Sequence, residues 1–244
     1  MRVALIDSGI NAGHEHVGAV RAGARIVTTP SGPAAIEGID AAVDAIGHGT
    51  ACAGLVRWLA PDAELIAIRV FDSTLRAPCG YLPPAFAFAM KEGARLANLS
   101  LGLHSEEVLP EADQALDALL DTGVTVVAAL GPRAAPTWPA SHPGVVAVTA
   151  DPHLESDRWI WIDEGFRGPD GAAHPLVAAA PFPRPMPGRP REQNLAGVSF
   201  AAAAISGLLA RLDLPSTAVS AGLREGAEER FTTRAAWLSA RGAR

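Results

Sequence analysis

Gly197-Val198-Ser199-Phe200-Ala201-Ala202-Ala203-Ala204-Ile205-Ser206-Gly207 is a small-residue turn followed by an apolar, alanine-rich run of high helical propensity. A serine in the first turn of such a helix sits at the positive end of the helix dipole, its own N–H free to point at an anion. An attacking hydroxyl needs that setting: exposure, rigid support and a donor aimed at the oxyanion that forms beside it. An N-capping serine occupies the same place. The rest of the chain has to decide between the two.

At the other end, Val3-Ala4-Leu5-Ile6 reads as a buried parallel strand that stops at Asp7-Ser8-Gly9. Asp7 then stands at the carboxyl end of a strand, where open α/β sheets place their sites. Gly47-His48-Gly49-Thr50 opens a helical apolar run, Ala51 to Val56, and leaves an imidazole sterically open between two glycines. Further strands are expected at Ala24–Val27, Ala63–Val70, Ala97–Gly102, Val124–Ala129, Gly144–Ala150 and Leu176–Ala180. Helices are expected at Ala85–Leu96, Glu111–Asp121 and Ser199 to about Leu212, with one or two more from Ser216 onward. Strands alternating with helices mean crossover units and a mostly parallel sheet covered on both faces. Pro152 to Asn194 is otherwise irregular, and Pro181–Pro187 reads as a surface loop.

Composition narrows the function classes. Of 244 residues, 49% are hydrophobic and 19% charged, enough for a large core and too apolar for disorder. The net charge of -6 and scattered basic residues argue against a nucleic-acid footprint. No apolar run reaches the roughly 18–20 residues that cross a bilayer, and the N-terminus lacks a signal-peptide pattern. Cys52 and Cys79 make neither a disulfide framework nor a metal site, and His14 with His16 lacks a third ligand nearby. The expectation is a single cytoplasmic domain over residues 1–244 that binds no metal, cofactor, membrane or nucleic acid.

Asp7, His48 and Ser199 come in the order acid, base, nucleophile, which is the subtilisin order among convergent triads. Here the chain resembles the subtilases. Asp7-Ser8-Gly9 with His14 looks like their aspartate motif, Gly47-His48-Gly49-Thr50 with Ala53-Gly54 like their histidine motif, and Gly197-Val198-Ser199-Phe200-Ala201 like their serine motif. Asn98-Leu99-Ser100-Leu101-Gly102 resembles the strand that pairs with the substrate backbone, and Trp138 to Val148 the segment beyond the oxyanion loop. The resemblance runs from about residue 3 to about residue 210. It implies a subtilisin-like three-layer sandwich and a serine endopeptidase. In it Ser199 attacks, His48 moves the proton, and Asp7 fixes the imidazole. Ser100, Leu101, Gly102 and Gly131 hold an extended peptide or protein substrate as an added strand.

Departures from the family pattern sharpen the expectation. Where subtilases carry Gly-Asn, with the asparagine donating to the oxyanion, this chain has Gly131-Pro132, and proline offers no donor at all. Loss of that donor costs about 10²–10³ in turnover, roughly 3–4 kcal/mol. Val198 replaces the usual threonine, Ala203-Ala204 the usual Pro-His, and Ala51-Cys52 a His-Val. Arg133, Asn98 and Asn194 are candidate replacement donors, and Cys52, one turn after His48, is placed to approach the site. With only Met1 and Arg2 before the first strand, no folding pro-segment is expected, and no calcium loop of clustered carboxylates stands out. Two functions fit: a slow, selective protease, such as one that matures a peptide, or a subtilase-like module that binds a peptide without useful cleavage. The intact triad favours the first and Pro132 the second.

Overall fold

The computed structural model describes residues 1–103, 108–131 and 135–242. Its centre is one strand, β1 (Arg2–Asp7), whose residues are buried from Val3 onward. Alternation along a strand sends successive side chains to opposite faces. Ala4 and Ile6 enter one core with α2 (Leu82–Lys91) and α3 (Pro110–Asp121). Val3 and Leu5 enter the other with α1 (His48–Leu59) and α4 (Val198–Leu212). A strand buried on both faces has to be apolar throughout, which is why this one reads as a continuous hydrophobic run.

The sheet has ten strands in the order β10-β8-β9-β7-β6-β5-β1-β4-β2-β3. The others are β2 (Ala22–Thr29), β3 (Gly32–Glu37), β4 (Glu64–Arg69), β5 (Leu96–Leu99), β6 (Thr125–Ala129), β7 (Val145–Ala150), β8 (Trp159–Arg167), β9 (Ala173–Ala179) and β10 (Glu229–Thr233). From β9 to β2 every pairing is parallel. Among the described residues, the antiparallel pairs of the sheet are β2 with β3 and β8 with β9. The mostly parallel three-layer architecture expected from the sequence is present. Two further helices, α5 (Val219–Gly226) and α6 (Arg234–Ala240), complete the chain. Among the described residues no single helix is long and apolar enough to cross a membrane.

Some boundaries differ from the sequence reading, each for a local reason. The helix read at Ala85–Leu96 runs from Leu82 to Lys91. Pro83 and Pro84 fall in its first turn, where no N–H partner is needed, and Gly93, at φ +66°, ends it. The strand read at Ala97–Gly102 stops at Leu99, because pairing with both β1 and β6 ends there. Leu103 instead forms an antiparallel bridge to Trp138. β3, β8 and β10 are additions. β10 replaces part of the helical tail expected after Ser216.

One buried ion pair ties the C-terminal segment to the sheet. Asp151, 1% exposed at the end of β7, accepts from Trp237 Nε1 (3.1 Å) and Arg241 Nε (2.8 Å). Burial pushes this carboxyl up, but its bond to Arg241, the His153 N–H and Trp237 together hold it below the usual range. A lowered folded-state value means its stabilisation is present above the ordinary carboxylate range and lost as pH falls through the folded value. Asp151→Ala is expected to cost about 3 kcal/mol, because Arg241 stays partly buried and keeps only Glu229 as a carboxylate partner. Urea melts of the two proteins measure this. A loss under about 1 kcal/mol would mean that the pair does not hold the segment down.

Candidate active site

Asp7 has the same parity as Val3 and Leu5, so its carboxylate lies on the α1 and α4 side of the sheet, at the strand's carboxyl end. It is fully buried. Its Oδ1 accepts from the Ser8 N–H (2.7 Å) and from His48 Nδ1 (2.7 Å). An ionised carboxylate only accepts, so this bond assigns the imidazole proton to Nδ1 and leaves Nε2 as the basic nitrogen.

His48 is the first residue of α1. Gly47 before it sits at φ 93°. The helix start comes so close to the β1 loop that a β-carbon at Gly49 would overlap the Gly9 carbonyl. These glycines let the imidazole reach the strand end. Burial pushes the imidazolium down, yet the hydrogen bond and charge of Asp7, with a further push from Asp44, outweigh it and hold His48 above the usual histidine value.

Ser199 is the second residue of α4 and is half-buried. The next residue, Phe200, stacks obliquely on the His48 ring, with centroids 5.5 Å apart. Strand end, α1 start and α4 start thus converge at one rim of the sheet. Ser199 Oγ has no hydrogen bond to His48 in this structure, a contact that ordinarily tightens around bound substrate.

Ser100, Leu101 and Gly102 continue from β5 along the same rim and, with Phe71, Leu75 and Leu82, line a cleft of about 520 Å³. A second cleft, of about 400 Å³, is lined by Gly47, Thr50 and Ala51 from the start of α1 and by Met186, Asn194 and Leu195. Gly131 is buried just beyond the end of β6, its N–H donating to the Ala135 carbonyl (3.0 Å). Thr137 stands between the two glycines. A β-carbon at Gly102 would meet its Oγ1 at 2.8 Å, and one at Gly131 its Cγ2 at 2.8 Å. Thr137 Oγ1 is buried and without a hydrogen-bond partner among the described residues. Pro132 and Arg133 lie outside the described residues.

The other candidate donors are placed differently. Asn98 is fully buried below the rim, where it accepts from Ser206 Oγ and donates to Ser100 Oγ, each at 3.0 Å. Its amide is therefore engaged within the core. Asn194 accepts the Leu195 N–H (2.9 Å) and lines the second cleft. Cys52 does approach the site: its Sγ is 3.7 Å from Ser100 Oγ and 4.0 Å from His48 Nδ1. Complete burial and the neighbouring Asp7 charge push this thiol well up, so it stays protonated. Asp7, His48 and Cys52 offer three potential ligand atoms within 4.8 Å of one another, yet the first two already pair directly. His14 and His16 meet edge to face, with ring centroids 5.1 Å apart.

The sequence reading passes over Asp44 and Thr137. Asp44 stands four residues before His48 and accepts the Gly47 and Thr50 N–H groups at the start of α1. A carboxylate just ahead of a glycine-started helix was the available signal. Thr137 carried none, because its place against Gly102 and Gly131 is set by the fold.

The subtilase family pattern matches residues 1–215. Subtilisin BL of Lederbergia lenta is 33% identical over 161 residues, which cover 62% of this chain and 55% of its own length. Subtilisin E of Bacillus subtilis (strain 168) is 30% identical over 169 residues, covering 62% of this chain and 40% of its own length. The chain therefore spans about half or less of the curated relatives it matches. Among solved structures, sphericase superposes with a TM-score of 0.68 at 19% identity, covering 92% of this chain and 82% of that one. The prenylagaramide maturation protease PagA does so at 0.61 and 21%, covering 91% and 78%. The structural likenesses bear on the fold. By sequence and by architecture, this chain belongs to the subtilase family.

Proposed function

We propose that the chain is a serine endopeptidase of the subtilisin type, slow and selective, that cleaves a peptide or protein held as an extended strand. The observation that carries this reading is the 2.7 Å Asp7–His48 bond at the rim where Ser199 stands in the first turn of α4. In the reaction, Ser199 Oγ bonds to the substrate carbonyl carbon as its proton passes to His48 Nε2. The carbonyl π pair moves onto oxygen beside the Ser199 N–H. The tetrahedral species then expels the amine, which takes the proton back from Nε2. Water repeats the two steps and frees the acid. Asp7 stabilises the imidazolium formed in each half.

The likeness to a prenylagaramide maturation protease agrees with a narrow peptide-processing role. The departure at Pro132 favours a second reading, a module that binds a peptide without turning it over.

A fluorophosphonate probe tests the reading. Covalent labelling of the wild-type chain is expected, and none under conditions where a standard subtilase reacts would favour the binding module. Pro132→Asn supplies the donor that the family ordinarily carries, and is expected to raise kcat by roughly 10²-fold. Steady-state hydrolysis of a fluorogenic peptide measures it. An unchanged kcat would mean that this position does not limit the reaction.

A further inference from the structure

Asp44 carries a second charge at the rim, and the mechanism above does not use it. It precedes α1 in a loop, yet its carboxylate is saturated. Oδ1 accepts from Ser8 Oγ (2.7 Å), the Gly47 N–H (2.8 Å) and the Ile46 N–H (2.9 Å). Oδ2 accepts from the Thr50 N–H (2.8 Å) and Thr50 Oγ1 (2.6 Å). Ser8 Oγ in turn accepts from the Gly49 N–H (2.9 Å), and Thr50 Oγ1 from the Asn11 N–H (3.0 Å).

These bonds have one geometric meaning. A helix start leaves its first N–H groups without intrahelical partners, and the N-cap of α1 is Gly47, which has no side chain to serve them. Asp44 and Ser8 supply the missing acceptors from outside the helix. Ser8 is the neighbour of Asp7, and Gly47 and Gly49 flank His48. The loop after β1 and the first turn of α1 therefore meet around this carboxylate, with the Gly49 N–H to Ser8 Oγ and Asn11 N–H to Thr50 Oγ1 bonds beside it. We propose that Asp44 is a positioning residue, which locks the Asp7 loop to the start of α1 and so holds Asp7 and His48 in register. This rests on the protease reading, since it assigns Asp44 to the support of that pair.

Its charge has a second consequence. Among the described residues, the titratable groups facing the His48 ring are Asp7 from β1, Asp44 from its own loop and Cys52 from α1. Cys52 stays neutral, so the two carboxylates are the anions that favour imidazolium. Asp44 acts the more effectively because its five donors and the α1 dipole keep it ionised. Burial pushes its carboxyl up, and those bonds bring it below the usual range.

The test uses Asp44→Asn, which keeps shape and removes charge, and reads His48 directly by ¹H–¹⁵N NMR titration alongside the pH dependence of kcat/KM. The imidazole is expected to titrate at lower pH than in wild type. The acid limb of kcat/KM should move the same way, since only neutral His48 accepts the Ser199 proton. Loosened register should lower kcat on the order of 10-fold to 10²-fold with KM little changed. A folded Asp44→Asn chain with unmoved titration and wild-type kcat overturns the proposal. Should that variant fail to fold, Ser8→Ala removes the Ser8 Oγ link, with its bonds to Asp44 and to the Gly49 N–H, and leaves the charge. It should broaden the low-field His48 Nδ1–H signal by exchange without moving the titration, and a signal as sharp as wild type overturns the bridge. Neither NMR readout needs turnover, so failure here is separable from a negative fluorophosphonate result, which would sink the protease reading itself.

Discussion

A Ser199→Ala variant is expected to lose fluorophosphonate labelling altogether and to lose turnover by roughly 10⁴- to 10⁶-fold. The size follows from what the hydroxyl does. With no covalent acyl step, His48 has no proton to take, and Asp7 has no imidazolium to stabilise. Only substrate binding and the remaining oxyanion donor are left. The fold should be indifferent. Ser199 is half-buried, its side chain has no hydrogen bond among the described residues, and α4 is anchored by the residues that follow it, from Phe200 to Ala210. Alanine is also the best helix former, so unfolding should shift by no more than about 0.5 kcal/mol. Intact-protein mass spectrometry gives the labelling stoichiometry, and a urea melt confirms the fold. A variant that still labels with one equivalent of probe would mean that another side chain is the nucleophile.

The parts of this design legible in sequence are those that chemistry concentrates in few residues. The rim could be read because Asp7, His48 and Ser199 each carry a local signature: a strand ending in an acid, a histidine between glycines, a serine opening an alanine-rich helix. The central strands were legible for a different reason. Burial on both faces makes Val3–Ile6 and Val126–Ala129 continuous apolar runs. β8 is harder to see. Its Trp159-Ile160-Trp161-Ile162 run is a good strand on its own, but Asp163, Glu164 and Gly165 interrupt it where the register against β9 shifts. Gly165 there looks like a breaker, although it is required because a β-carbon would overlap Leu176. β10, with alternating intermediate and exposed residues, pairs with β8 alone and carries no hydrophobic signal. Asn98 shows the limit within the site. Its type suits an oxyanion donor, but its parity in β5 sends it inward to Ser206 on α4. Which way an amide points is decided by the sheet, and no motif reports it.

Asp7→Asn is the other large effect, expected to lower kcat about 10⁴-fold while leaving the fold intact. Asp7 Oδ1 now takes both the Ser8 N–H and His48 Nδ1–H, and Oδ2 is buried without a hydrogen-bond partner among the described residues. Because one oxygen takes both bonds, an asparagine has two settings. With its NH₂ at that place, a donor faces His48 Nδ1 and forces the imidazole proton onto Nε2, the nitrogen that must accept from Ser199, and the Ser8 N–H loses its acceptor. With its oxygen there, the tautomer is kept and the NH₂ takes the buried place of Oδ2. Either setting removes the charge that stabilises the imidazolium, and the first also imposes the wrong tautomer. The pH profile gives an independent sign. In wild type, burial lowers the His48 value, and the bond and charge of Asp7, with the Asp44 charge, raise it further than burial lowers it. The acid limb of kcat/KM should therefore lie above the ordinary histidine value of 6.5. Without the Asp7 charge, burial regains weight, and the acid limb of the residual activity should move to lower pH. Replacing a buried anion with a neutral amide of the same shape removes a desolvation cost, so the melting temperature should not fall. Activity within tenfold of wild type, or an acid limb that stays in place, would show that Asp7 neither sets the tautomer nor supports the charge of His48.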